Sequence, residues 1–178
     1  GGIISMSLTG KEFWTVVHGM GLGAIFLLSF AGGLAGLYSL RPEWVTVAGV
    51  RERVMRLNIG TWVMAVAAWL TVITGTYIVY PWYRAKPPEG LAALTDYPRY
   101  YLLSVPDLAA WHSFAMEWKE HVAWFSPILA VAVAFVVWRY GAQIAEMPKL
   151  RYALIVLFVL AFSAAGIAGL FGAFITKA

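Results

Sequence analysis

The sequence contains no cysteine. It therefore excludes disulfides, thiolate-ligated iron–sulfur clusters and the Cys-x-x-Cys-His motif that attaches c-type haem. Charge is also scarce, because only 12% of the 178 residues are charged whereas 61% are apolar. Soluble domains carry about 25% charged residues. This composition predicts an integral membrane protein in which any haem is bound non-covalently.

Four long apolar segments account for most of the chain. They cover residues 14–40, 58–80, 111–138 and 152–175. Each reaches the roughly 20 residues that an α-helix needs to cross a bilayer. We therefore expect one all-α domain over residues 1–178, an integral membrane four-transmembrane-helix bundle.

The connection over residues 81–110 is the longest between these segments. It is rich in proline, which prevents a long helix, and in tyrosine and tryptophan, which favour the membrane–water interface. We expect this loop to form an outer-face cap between the second and third helices.

Positive charge is concentrated in the two short connections, after the first and third segments. The residues concerned are Arg41, Arg51, Arg53, Arg56, Arg139, Lys149 and Arg151. By the positive-inside rule these connections are cytoplasmic, which puts both termini and the 81–110 loop on the outer, periplasmic side of the cytoplasmic (inner) membrane. The cations form no nucleic-acid reader motif, so lipid and other membrane subunits are the expected partners.

Two of the three histidines lie at matching depths. His18 is near the outer end of the first apolar segment, and His121 opens the apolar half of the third, residues 121–138. The two segments run in the same direction, and each histidine lies about 13 Å from the middle of its apolar run at about 1.5 Å per residue. Two imidazoles at one level can ligate one b-type haem iron. We predict one haem b near the outer face, with His18 and His121 as iron ligands.

Residues around this pair suit a haem or a quinone. Gly21, Leu22 and Ile25 share the face of His18 and would form an apolar slot, facing Phe114, Phe125 and Ile128. Glu117 lies one helical turn before His121, where it could orient the imidazole or carry protons for a quinone headgroup, with His112 at the same opening. The candidate partners of the haem propionates are Arg84, Lys86, Arg99 and Lys119.

In helix count and in His18 and His121 the chain resembles the small four-helix cytochrome b anchors of respiratory complexes. Such anchors often hold two haems on four histidines, whereas the three histidines here predict one haem. We expect a non-catalytic electron-transfer subunit of a larger respiratory or photosynthetic redox complex, with quinone as a candidate electron partner.

Two other functions fit the same residues. A cofactor-free structural subunit is favoured by the small-residue pairs Gly19/Gly23 and Gly32/Gly36, which permit close helix packing. An outer-face copper protein would use His112 and Met116 as ligands, together with His121 and Glu117. Pro127 predicts a distortion of the third helix in either case.

Overall fold

Four long helices dominate the structure, a computed structural model that describes residues 8–91 and 93–175. They are α1 (Gly10–Ser39), α2 (Val47–Tyr83), α4 (Pro106–Glu146) and α5 (Pro148–Ile175). A short helix α3 (Pro98–Ser104) and a 3-10 turn (Pro42–Trp44) lie in the connections, and the described residues contain no strand. All four long helices are long and apolar enough to cross a membrane. The prediction of an all-α fold with four helices that could span a membrane is confirmed, whereas the outer-face cap and the membrane side of each loop stay predictions.

The helices extend beyond the apolar segments. Helix α2 begins at Val47 because the Thr46 hydroxyl accepts a hydrogen bond from the Gly49 amide at 3.0 Å, a side-chain N-cap. Helix α4 begins at Pro106, where a proline is tolerated because the first turn needs no backbone donor. The length of an apolar run reflects the thickness of the hydrocarbon layer, whereas capping residues determine where a helix begins and ends.

Three of the long helices contain segments that depart from α-helical geometry. Helix α1 contains a π-helical segment at Val17–Gly21, and α2 contains one at Gly75–Val79. Helix α4 tightens to a 3-10 turn at Val122–Trp124, immediately before Phe125–Tyr140. Pro127 explains this last irregularity, because it has no amide to donate to the Ala123 carbonyl and its ring crowds the preceding turn. Helix α4 ends in a second 3-10 segment at Gly141–Glu146.

The long helices form a closed ring of neighbours. Helix α1 packs against α2 and α5, α2 packs against α4, and α4 packs against α5. Helices α1 and α5 meet at Gly33, where an added Cβ would lie 2.7 Å from the fully buried ring of Phe158. Next to this contact the rings of Phe30 and Phe162 stack with centroids 4.0 Å apart. Small residues therefore set the distance between the helices.

A buried arginine joins the C-terminal end of α1 to the N-terminal end of α5. Arg151 is 6% exposed, and its Nη1 donates a hydrogen bond to the Leu40 carbonyl at 2.8 Å. Leu40 is the C-cap residue of α1, so its carbonyl has no partner further along the helix. The guanidinium satisfies that carbonyl and links the start of α5 to the end of α1.

The outer surface of the ring is apolar. Large side chains such as Leu28, Val66, Phe135 and Leu170 are more than half exposed, whereas alanines fill much of the interior. This distribution suits contact with lipid chains around a tightly packed bundle.

Candidate functional site

His18 stands in the π segment of α1 and is held by a threonine of α2. Its Nδ1 lies 2.9 Å from Oγ1 of Thr74, and that hydroxyl lies 2.7 Å from the Leu70 carbonyl. A hydroxyl has one proton, which Thr74 donates to Leu70, so Thr74 accepts its other bond from the His18 Nδ1–H. The neutral imidazole then keeps a lone pair on Nε2, the nitrogen that can bind a metal.

A glycine makes room for this imidazole. An added Cβ at Gly75 would lie 2.8 Å from Cε1 of His18 and 3.4 Å from Nε2. Gly75 opens the π segment of α2, and His18 lies in the π segment of α1. The two irregular segments therefore face each other at the imidazole.

Two further polar groups near His18 lack partners. Oγ1 of Thr71 is buried without a hydrogen-bond partner within residues 8–91 and 93–175. Lys119 of α4 is partly buried, its Nζ lies 3.2 Å from where a Cβ at Gly172 would stand, and its charge acts on His18. Within the same ranges no carboxylate pairs with its ammonium. We call His18, Thr71, Thr74 and Lys119 the His18 cluster.

An apolar groove between α1 and α2 begins one turn from the His18–Thr74 contact. It encloses about 300 Å³ and is lined by Leu22, Ile25, Trp62, Val63, Val66, Ala67 and Leu70. Leu22 and Ile25 belong to the apolar slot predicted around His18. Gly21, the other small neighbour, is exposed in the π segment of α1.

His121 lies in different surroundings from His18. The side chains of His121 and Glu117 are 69% and 74% exposed, and His121 Nδ1 is 3.2 Å from Glu117 Oε2. This contact matches the predicted position of Glu117 one turn before the histidine. No hydrogen bond or ion pair between described residues joins His121 to His18.

A second concave site, which we call the polar pocket, lies where α2, α3 and α4 meet. It encloses about 300 Å³ and is lined by Tyr80, Arg84, Arg99, His112, Ser113, Met116, Glu117 and Glu120. The Tyr83 hydroxyl is hydrogen-bonded to Nδ1 of His112, and the Tyr80 hydroxyl donates to Glu120. Each phenol is thus joined to a group that can take up a proton.

The rings of the polar pocket are stacked in series. The centroids of Tyr80 and Tyr83 are 6.2 Å apart, and those of Tyr83 and His112 are 5.8 Å apart. The guanidinium of Arg84 lies over the Tyr80 ring at 5.3 Å. The three rings therefore form one stack, with the Arg84 guanidinium at its Tyr80 end.

The predicted copper ligands His112 and Met116 both line the polar pocket, next to Glu117. Across the described part of the chain, however, no three His, Asp or Glu side chains form a group that could hold a metal ion. Two arginines also line this pocket, and their charge opposes a bound cation.

Several residues of both sites were missed in the sequence. Tyr80, Tyr83, Thr71 and Thr74 gave no signal because their role depends on the register between α2 and its neighbours. Glu120 could have been found, since His112, Met116 and Glu120 recur every four positions on one helix face.

Comparisons with protein-family models, with curated proteins and with solved structures give no match for this chain, so the geometry of its two sites carries the functional argument.

Proposed function

We propose that the chain is a membrane-embedded electron-transfer subunit of a larger redox complex and that it holds one b-type haem through His18. The observation that carries this proposal is the hydrogen bond between His18 Nδ1 and Thr74, which leaves Nε2 with a free lone pair. An ionisable side chain inside a membrane-spanning helix is functional more often than not. A ligand histidine commonly donates its other ring N–H to an oxygen in this way.

The other residues near His18 fit such a group. When bound, a b haem would supply one-electron transfer. Lys119 offers a propionate an ammonium that pairs with no carboxylate of the described residues. The groove lined by Leu22, Ile25 and Leu70 offers apolar contact for the macrocycle on the same helix pair. Arg84 and Arg99, two of the four propionate partners predicted from the sequence, line the polar pocket instead.

A second iron ligand would come from His121 or from a group of a neighbouring subunit. His121 would have to turn from Glu117, and its exposure leaves the side chain free to do so. A ligand from another subunit would place the haem at the interface of the complex. Replacement of His121 separates these two arrangements.

The test is a reduced-minus-oxidised visible spectrum of the full chain, isolated with its native partners, with pyridine extraction to count haem. We expect a b-type α-band at about one haem per chain. His18→Ala should abolish it, whereas His112→Ala, a matched histidine whose Nδ1 is bonded to Tyr83, should retain it. Loss in His121→Ala would make His121 the second ligand, and retention would assign that position to a partner.

The cofactor-free structural subunit is the outcome that defeats this proposal. It is supported by the close packing at Gly33 and by the apolar outer surface, neither of which needs a cofactor. A flat spectrum from the intact complex, with wild-type and His18→Ala chains indistinguishable, would favour it.

A further inference from the structure

The polar pocket lies at the level where the apolar runs of two membrane-spanning helices end. Its α2 residues, Tyr80 and Arg84, stand at and just beyond the end of the apolar run 58–80. Its α4 residues directly precede the apolar run 121–138. Phospholipid headgroups occupy this level of a bilayer, next to the hydrocarbon layer. When the helices span a membrane, the pocket is therefore level with the headgroups.

Four charged side chains line this pocket, and together they carry no net charge. Arg84 and Arg99 are cationic, and Glu117 and Glu120 are anionic. The carboxylates would repel an anion, and the guanidiniums would repel a cation. A ligand with one charge of each sign can pair with both kinds of side chain. The charges of the pocket therefore favour a zwitterion.

The two guanidiniums of the pocket have donors to spare. Within residues 8–91 and 93–175, neither Arg84 nor Arg99 donates a side-chain hydrogen bond or forms an ion pair with a carboxylate. The Arg84 guanidinium lies over the Tyr80 ring, 5.3 Å from its centroid. A guanidinium is a planar fork of N–H donors that matches the oxygens of a phosphate. Two such forks beside one cavity suit a phosphate as the anionic group of the ligand.

The two carboxylates of the pocket are each in contact with one neighbour. Glu120 accepts a hydrogen bond from the Tyr80 hydroxyl, and Glu117 Oε2 lies 3.2 Å from Nδ1 of His121. An ionised carboxylate has several acceptor sites, so both side chains can accept further hydrogen bonds. A primary ammonium has N–H donors for these sites, whereas a quaternary ammonium has none. The cationic group that suits the pocket is therefore a primary ammonium.

We propose that the polar pocket binds a phosphate joined by a short chain to a primary ammonium, which is the headgroup of phosphatidylethanolamine. Arg84 and Arg99 bind the phosphate, and Glu117 and Glu120 bind the ammonium. The lipid is the favoured source of this headgroup, because the pocket lies level with the headgroups and borders lipid-facing surface. Tyr77, which precedes the pocket on α2, is 70% exposed. No haem takes part in this binding.

The experiment is native mass spectrometry of the delipidated full chain in detergent. The chain is titrated with phosphatidylethanolamine, phosphatidylcholine and phosphatidylglycerol that carry the same acyl chains. We expect phosphatidylethanolamine to bind about 10-fold more tightly than either of the others, because choline has no N–H donor and glycerol carries no cation. Equal affinity for the three lipids would overturn the proposal, as would absence of saturable binding.

Two substitutions in the pocket should alter lipid affinity in different ways. Arg99→Met removes donors to the phosphate and should weaken the binding of both phosphatidylethanolamine and phosphatidylglycerol by about 10-fold. Glu120→Gln removes an acceptor of the ammonium and should weaken the binding of phosphatidylethanolamine by about 10-fold. The same change should strengthen the binding of phosphatidylglycerol, whose anionic headgroup then meets one carboxylate fewer. A loss of folding would not produce opposite effects on two lipids.

Arg51→Met and Glu52→Gln are the matched controls. Both residues are exposed near the other end of α2, and Glu52 pairs there with Arg56. The two control variants should bind phosphatidylethanolamine like wild type. Helicity and thermal unfolding show that each variant is folded. Equal affinity for phosphatidylethanolamine in the pocket variants and the controls would overturn the proposal.

Free O-phosphoethanolamine distinguishes the two sources of the headgroup. If a large excess of it leaves phosphatidylethanolamine bound, the ligand is the lipid. If it displaces the lipid at equal concentration, the same groups of the pocket bind the soluble molecule. Either result supports the assignment of the headgroup, provided that the pocket variants respond as expected.

Discussion

Two threonines three positions apart in α2 differ in their hydrogen bonding. The Thr74 hydroxyl accepts from His18, whereas the Thr71 hydroxyl is buried without a partner in the described ranges. Thr74→Val leaves the His18 Nδ1–H unsatisfied and should lower the free energy of unfolding by about 1 kcal/mol or more. Thr71→Val removes an unsatisfied group and should be neutral or stabilising. Denaturation in mixed micelles measures both, and equal losses would contradict the hydrogen-bond assignment.

The same pair bears on the proposed haem. Thr74 orients the imidazole, and loss of such a partner typically lowers metal affinity about 10- to 100-fold. We expect Thr74→Val to reduce haem retention in this range and Thr71→Val to leave it unchanged. Haem titration of the two purified variants is the measurement. Equal retention would show that Thr74 does not position a ligand.

At this scale the sequence was informative about His18 alone. The sequence placed Gly21, Leu22 and Ile25 on the face of His18, and the structure packs this histidine against Gly75 of α2. Thr74 and Gly75 could not be identified as neighbours of His18, because that pairing depends on the axial register between α1 and α2. Lys119 gave no signal of burial, since its neighbours in the sequence are polar.

Substitution of two adjacent glycines of α1 by alanine distinguishes the effect of packing from the effect of helix propensity. An added Cβ at Gly33 would lie 2.7 Å from the Phe158 ring, whereas one at Gly32 meets no atom within 4 Å. Gly33→Ala must displace a fully buried ring and should destabilise the protein by about 1–3 kcal/mol. Gly32→Ala should be neutral or stabilise by up to about 1 kcal/mol. Thermal unfolding of the two variants in one detergent tests this contrast, which an equal effect would refute.

The apolar runs predicted how many long helices the chain has and in which order they follow. They did not predict the π and 3-10 segments or the residues at which the helices begin and end. The π segments at Val17–Gly21 and Gly75–Val79 arise where His18 and Gly75 meet across helices, a tertiary contact that leaves no periodic pattern. Helix α2 starts at Val47 because of the Thr46 cap, although its first turns are too polar to belong to the apolar run. Pro127 is the exception, since its effect on the preceding turn is local.

For the whole molecule, the distribution of cations predicts which loops face the cytoplasm. The chain has no cysteine, so single cysteines can be introduced without background. Ala93→Cys, exposed in the 81–110 loop, should react in intact cells with a membrane-impermeant maleimide. Gln143→Cys, exposed in the 3-10 segment that ends α4, should react only after lysis. The reverse pattern would invert the predicted topology; the terminal residues themselves lie outside the described ranges.

The two π segments also have a consequence for the length of the chain. A π turn fits one more residue into the path of an α turn, so a single-residue deletion within Val17–Gly21 can restore ordinary α winding there. The residues on either side then keep their angular phase. The same deletion in the uniform stretch Leu22–Ser39 would rotate everything beyond it by about 100°. In α1 and α2, the segments that meet at His18 are thus where chain length can change without turning the rest of the helix away from its neighbours.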